Sequence, residues 1–233
     1  ALIIGAAAFY FWPEHNAALQ KGTPQTVSYD ESLRRFEAAR QQESSRAVEP
    51  TKHTQFLTHG TKTKKSVVMF HGITADPTQF AGLGKYFFDA GYNVYLPLTP
   101  HHGTANKKDH GAVTARELVD FVNQSVTTAT GLGDEVGVVG LSGGGVLATW
   151  AGEYRPEVKR VLALSPFYEP APEKASKWQL PLLRKAYGWG ILPDTFIEPA
   201  TPKDAPFSYH ALGNYLALVQ NFRINDTAKQ LKQ

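Results

Sequence analysis

The sequence predicts an α/β fold: a mostly parallel sheet with flanking helices. Three observations carry this expectation. Between Ser66 and Leu164, short apolar stretches alternate with segments of helical periodicity, the pattern of βαβ units. The stretch Val136 to Leu141 (VGVVGL) is apolar without alternation, as a strand covered on both faces must be. The chain has 233 residues, 42% hydrophobic and 19% charged, which suits a sizeable core and not a disordered chain.

Taken in order, Gln55 to Thr58 and Ser66 to Phe70 flank a Gly/Lys/Thr turn and read as a hairpin feeding a buried strand. Asp76-Pro77 is an N-cap and first-turn pair. It opens a helix carrying Phe80, Leu83, Tyr86, Phe87 and Phe88, which Gly91 closes. Asn93 to Leu98 is the next strand. Leu118, Phe121, Val122 and Val126 fall at helical spacing within 113–126. Gly143 to Tyr154 reads as a helix and Val158 to Leu164 as another buried strand. After Ser165-Pro166 the chain turns rich in proline, with Trp178, Tyr187 and Trp189. That stretch reads as a covering segment, followed by helices over 210–222 and 225–231.

The N-terminal region has a different character. An apolar run from Ala1 to Trp12 (ALIIGAAAFYFW) spans roughly 18 Å as a helix, short of a bilayer's ~30 Å core. Its aromatic end, with Pro13-Glu14-His15 following, reads as the outer part of a membrane anchor or signal segment. The expected location is therefore membrane-anchored with the domain outside the cytoplasm, or secreted. Residues 16–52 turn polar, and Ser28-Tyr29-Asp30-Glu31 has the form of a capping box. They read as a spacer whose helix has one apolar edge, at Leu33 and Phe36, with an Arg- and Gln-rich remainder that is solvated. The expected organisation is thus 1–15 partial anchor, 16–52 spacer, 53–165 α/β core and 166–233 lid.

Composition excludes several functions. With no cysteine, a disulfide framework, thiolate metal sites and a cysteine nucleophile are ruled out. Lys and Arg exceed Asp and Glu by 24 to 21, and the densest basic patch is Lys62, Lys64 and Lys65 in a turn. Nucleic-acid binding has little support there. His101-His102 lacks a second ligand cluster at metal-binding spacing, so no metal is expected.

The chemistry lies in Gly140-Leu141-Ser142-Gly143-Gly144. It sits between the VGVVGL strand and a helix, the setting of a nucleophile elbow. There the turn lifts a serine hydroxyl above the sheet, and crowding demands small residues at Gly140 and Gly144. A phosphate-binding loop would want a lysine or a dinucleotide continuation, and neither occurs. Attack on a carbonyl creates an oxyanion needing two N–H donors, each worth about 2.7–4 kcal/mol in the transition state. One donor is the backbone N–H of Gly143. The other is that of Ile73, in the His71-Gly72-Ile73-Thr74 loop following the VVMF strand.

With FHGIT, Phe80, Leu83, GYNVYLPLTPHHG and GLSGGG in place, the sequence resembles the α/β-hydrolase fold family from about residue 53 to 233. It looks like the esterase, lipase and serine-aminopeptidase-like branch that bears a small lid. The resemblance implies a Ser–His–Asp hydrolase of carboxylic esters or amides, acting through an acyl-enzyme on Ser142 without cofactor. His71, Gly72 and His102 would be loop-supporting residues, His102-Gly103 matching a His-Gly of that branch.

Acid and base are harder to place. In this fold they follow the serine in the order Asp or Glu, then His. After Ser142 the only histidine is His210, which Asp194 and Asp204 precede, but no strand delivers them, and they read as lid residues. The family pattern therefore implies that acid and base lie beyond Gln233, that the chain is cut at both ends, and that as given it is nearly inactive, with an unpaired sheet edge. The alternatives are a non-catalytic binding module of the same fold, or an acyltransferase using the same serine. The expected partner is a small ester or acyl substrate, with the membrane reached through the N-terminal segment.

Overall fold

The computed structural model describes residues 2–170, 176, 178–199 and 205–223. Helix α1 (Leu2–Phe11) leads to α2 (Tyr29–Ser45), strands β1 (Gln55–Leu57) and β2 (Thr63–Phe70), and helix α3 (Ala81–Asp89). Then come β3 (Asn93–Leu96), α4 (Ala115–Leu132), β4 (Gly133–Leu141), α5 (Gly143–Tyr154) and β5 (Val158–Leu164). The covering segment holds α6 (Leu180–Gly188), β6 (Phe196–Ile197), β7 (Phe207–Ser208) and α7 (Tyr209–Gln220). The helix expected over 225–231 and the residue Asp204 lie outside the described residues.

The sheet has the order β1-β3-β2-β4-β5, with β3, β2, β4 and β5 parallel. Val68, Phe70, Val136 and Val138 face a core with Leu118, Val122 and Val126 of α4 and Val146, Leu147 and Trp150 of α5. On the opposite face Val67, Met69, Val94, Leu96 and Val139 pack with Phe80. The helix starts follow their caps. Thr114 and Glu117 close a capping box on α4, Ser28 accepts from Glu31 N–H, and Asp76 accepts from Thr78 N–H at the turn that precedes α3.

Four expectations change. The first is the hairpin: β1 pairs antiparallel with β3, Gln55 opposite Leu96, so β3 separates β1 from β2. Asn93 holds the intervening turn open, its side chain accepting from His59 N–H and donating to the Thr61 carbonyl, both at 2.8 Å. Those backbone groups bond to Asn93 and not to each other.

The second is β5, which among the described residues pairs with β4 alone and lies at the edge of the sheet they form, with Val161 46% and Leu162 45% exposed. An apolar run alone does not reveal whether a neighbouring element covers it.

The third is the expected membrane segment. Among the described residues no helix is long and apolar enough to cross a membrane. The apolar run forms the ten-residue α1, about 15 Å long. Its last carbonyls, of Phe9 and Tyr10, accept from Lys185 Nζ on α6 at 2.8 and 2.7 Å. The expectation of a transmembrane helix is therefore not met among the described residues, and membrane anchoring through this segment has no support from it.

The fourth is the solvated character of 16–52. Helix α2 lies against α4 and β1: Ser32 is buried and donates to the Thr128 carbonyl at 2.6 Å. Glu43 is buried against Thr54, accepting from both its N–H and its hydroxyl, and Phe36 meets Phe56. Each polar group finds a partner, so the composition of this stretch misrepresents its burial.

Candidate functional site

Strands β2 and β4 run side by side and parallel, Phe70 level with Gly140, so the loops at their carboxyl ends emerge together. After β4 the chain reverses at Ser142, whose backbone sits at φ +56°, ψ −116°. That is a sparsely populated region for a side-chain-bearing residue. Backbone hydrogen bonds fix it. Ser142 N–H donates to the Leu164 carbonyl at 3.0 Å, and the Ser142 carbonyl accepts from Gly145 N–H at 2.9 Å and Phe167 N–H at 3.1 Å. The turn has no room for side chains on either flank. A Cβ on Gly140 would lie 1.9 Å from the Gly144 carbonyl oxygen, and one on Gly144 would lie 1.8 Å from that of Phe70.

The loop after β2 lies against this elbow. A Cβ on Gly72 would be 3.8 Å from Ser142 Cβ, and one on Gly143 would be 2.4 Å from Ile73 Cγ1. Ser142, Gly143, Gly72 and Ile73 are thus brought together. The N–H groups of Ile73 and Gly143 donate to no described residue, and Gly143 opens α5, where the helix dipole favours negative charge. Both unused donors thus belong to the segments that meet at Ser142.

Two buried histidines hold this loop. His71 Nε2 accepts from Thr99 N–H at 3.0 Å, so the ring proton is on Nδ1, which lies 2.9 Å from the Gly72 carbonyl. That carbonyl and the Ile73 N–H belong to one peptide unit, so His71 fixes and polarises the donor. Burial, reinforced by nearby His102, holds the His71 imidazole down to about 3. His102 Nε2 lies 2.7 Å from the Ile73 carbonyl and Nδ1 lies 2.9 Å from that of Pro100. Its pKa is lowered to about 4 by burial, which outweighs the pull of those carbonyls. A neutral ring donates to only one of them, and the shorter contact favours Ile73. Both rings are neutral braces at neutral pH.

Adjacent His101 and His102 part company. His101 turns outward to Glu117, Nε2 to Oε1 at 3.0 Å. Burial would raise the Glu117 carboxyl, but bonds from His101 and Thr114 bring it below its ordinary value.

The acid and base candidates stand elsewhere. Asp194 accepts from the Ser208 hydroxyl at 2.6 Å and from His210 N–H at 2.9 Å. His210 Nε2 bonds to the Leu192 carbonyl at 2.8 Å. These bonds tie the covering segment to itself, and Ser142 Oγ makes no hydrogen bond to any described residue.

The covering segment encloses a cavity of about 600 Å³ lined by Phe167, Leu180, Leu183, Tyr187, Phe207 and Leu216, among others. Phe167 is also the residue that donates to the Ser142 carbonyl, so the cavity wall starts at the elbow. The aromatic residues divide: Phe167 and Tyr187 line the cavity, whereas Trp189 is exposed and stacks edge-on with Phe9.

Two supporting residues escaped the sequence reading. Gln79 accepts from Gly72 N–H at 2.9 Å, and Thr99 orients His71. Gln79 lies three residues past the Asp76 cap, a spacing that returns its side chain toward the loop. Thr99 carried no signal of its own.

Residues 67–227 match the alpha/beta hydrolase family. The thermostable monoacylglycerol lipase of Bacillus sp. (strain H-257) is 28% identical over 99 residues, 42% of this chain and 39% of that relative. The match thus spans about two fifths of the lipase. Among solved structures, Paleococcus ferrophilus monoacylglycerol lipase is similar at TM-score 0.56 and 16% identity, over 72% of this chain and 70% of that one. A structure from work on the metagenome-derived lipolytic enzymes LipS and LipT is similar at TM-score 0.54 and 19% identity, over 74% and 69%. At such identities the two structures bear on the fold alone. Together with the family match over most of its length, they place the arrangement of sheet and elbow: the chain belongs to the alpha/beta hydrolase family.

Proposed function

We propose that the chain is a lipase- or esterase-type serine hydrolase, with Ser142 as nucleophile and the N–H groups of Ile73 and Gly143 as the oxyanion hole. The observation that carries the reading is the pair of unused N–H donors beside a serine held at positive φ. A backbone so strained persists where the surroundings enforce it, and such sites cluster at reactive centres. In the reaction, Ser142 Oγ bonds to the ester carbonyl carbon. The bond to the alcohol oxygen breaks, and the serine proton leaves with the alcohol. Water then splits the acyl-enzyme, its hydroxyl going to the acid and its proton back to Ser142.

The apolar cavity of about 600 Å³ supports an acyl chain as the group bound, and the monoacylglycerol lipase relative supports the same class. No described side chain is assigned as base, so acylation by this chain is slow. In related chemistry the oxyanion hole and binding alone sustain about 10³–10⁴-fold over water.

The test is incubation with p-nitrophenyl butyrate, followed by intact-mass measurement and peptide mapping. The expected result is one butyryl group per chain on Ser142, absent in Ser142→Ala. Release of p-nitrophenol that Ser142→Ala leaves unchanged would overturn the proposal.

A further inference from the structure

Tyr215 on α7 is fully buried, and the chemistry above gives its phenol no task. Its ring stands at the oxyanion hole: a Cβ on Gly143 would lie 3.2 Å from Tyr215 Cε1, on the same side as Ile73. The Thr99 hydroxyl is its polar neighbour, working against the rise that burial imposes on the phenol. Neither hydroxyl completes a hydrogen bond of standard geometry with a described residue, although both are buried. An unsatisfied buried hydroxyl costs about 1–3 kcal/mol, and here two of them are neighbours. Hydrogen bonds that serve catalysis are often long in the free enzyme and tighten when the transition state forms.

The string continues from Thr99. Its N–H sets the tautomer of His71, and His71 Nδ1 holds the Gly72 carbonyl, whose peptide carries the Ile73 N–H. Helix α7 is itself pinned: Asn214, next in sequence to Tyr215, accepts from Ala115 N–H at the start of α4 at 2.9 Å. One side chain on a rigid helix therefore touches the wall of one donor through its ring and reaches the other through two residues.

We propose that Tyr215 is a positioning residue for the oxyanion hole. Its ring fixes Gly143, and its hydroxyl, on pairing with that of Thr99 as the oxyanion forms, fixes His71 and through it the Ile73 N–H. The inference rests on the assignment of Ser142 and the oxyanion hole made above. It adds a role for the covering segment: α7 supplies a prop for the donors as well as a wall for the cavity. Burial pushes the phenol well above its ordinary value, so it stays a neutral donor throughout the working pH range.

The experiment measures butyryl transfer to Ser142 from p-nitrophenyl butyrate, separating the saturating rate from the half-saturating concentration, with thermal melting alongside. Tyr215→Phe keeps the ring and removes the hydroxyl, Thr99→Val removes its partner, and Thr99→Ser restores it. In Tyr215→Phe and Thr99→Val the saturating rate is expected to fall about ten-fold, less than the loss of a whole donor. Half-saturation stays unchanged, Thr99→Ser recovers the rate, and the double variant is no slower than either single one. A role in packing alone would lower melting temperature without this selective loss of rate. Should Tyr215→Phe not fold, the contrast between Thr99→Val and Thr99→Ser decides the matter. If wild type is acylated on Ser142 and Thr99→Val matches its rate, the Tyr215 proposal is wrong while the hydrolase reading stands. Absence of Ser142 acylation in wild type overturns both.

Discussion

Gly144 rests on the carbonyl oxygen of Phe70 so closely that a methyl group on its Cα would lie 1.8 Å from that oxygen. The contact joins the start of α5 to the end of β2, the two elements that carry the proposed oxyanion donors. The opposing atom is backbone, so no side chain can swing aside. Gly144→Ala must therefore push the elbow away from the His71-Gly72 loop. Overpacking of this kind costs about 1–3 kcal/mol. Chemical denaturation should show a loss at the upper end of that range, together with loss of acylation at Ser142. A stable Gly144→Ala protein acylated at the wild-type rate would show that the two elements need not touch.

The two histidine braces make stability depend on pH. Unfolded imidazoles titrate near 6.5, whereas burial lowers His71 to about 3 and His102 to about 4 in the fold. Between these values the unfolded chain binds more protons, so acid favours unfolding. Their contribution is complete above about pH 6.5, falls with pH, and is spent for His102 near 4 and for His71 near 3. The slope approaches about 1.4 kcal/mol per pH unit for each ring. Urea midpoints taken at pH 7, 6 and 5 should fall progressively, and His71→Asn should flatten the dependence. A midpoint constant from pH 7 to 5 would mean that the rings are protonated in the folded chain.

The exposed edge of the sheet gives a third expectation. Among the described residues strand β5 is paired on one side only, with Leu162 exposed, which is the kind of surface on which strands pair between molecules. Val161 packs toward Gly152 of α5, so Leu162 on the opposite face is the residue to change. Leu162→Lys should reduce self-association in light scattering at high protein concentration, with little change in melting temperature. Unchanged association would place the sticky surface elsewhere.

The elbow was legible because it depends on short-range sequence: an apolar strand, a serine between glycines, and a helix. His71-Gly72 could be placed for the same reason, as it follows a strand directly. What could not be read were relationships set by distant chain segments. Thr99 braces His71 across 28 residues, and Asn93 opens the β1–β2 turn from 34 residues away. Ser32 and Glu43 made α2 look solvated because their buried partners, Thr128 and Thr54, belong to other elements. Polar residues reveal exposure only where no partner awaits them, and partners are a tertiary property. The apolar N-terminal run misled differently: its hydropathy says nothing of Lys185, some 175 residues away, which takes up the carbonyls at the end of α1.

That contact supplies the last prediction. Lys185 is buried, and its ammonium donates to the Phe9 and Tyr10 carbonyls at the end of α1, where a cation also meets the negative end of the helix dipole. Beside it, Arg184 makes two bonds to Glu14 at 2.8 and 2.7 Å. Two adjacent side chains of α6 thus clamp the segment leaving α1. Lys185→Met keeps the volume and apolar stem but removes the ammonium, leaving two carbonyls to find other partners. A cost of about 1–3 kcal/mol per unsatisfied group would fall on the docking of α1, since α6 retains its packing against α7. Hydrogen exchange should therefore quicken in α1 of Lys185→Met while α4 and β4 exchange as in wild type. Exchange raised equally in α1 and α7 would instead show that the lysine holds the covering segment together as a unit.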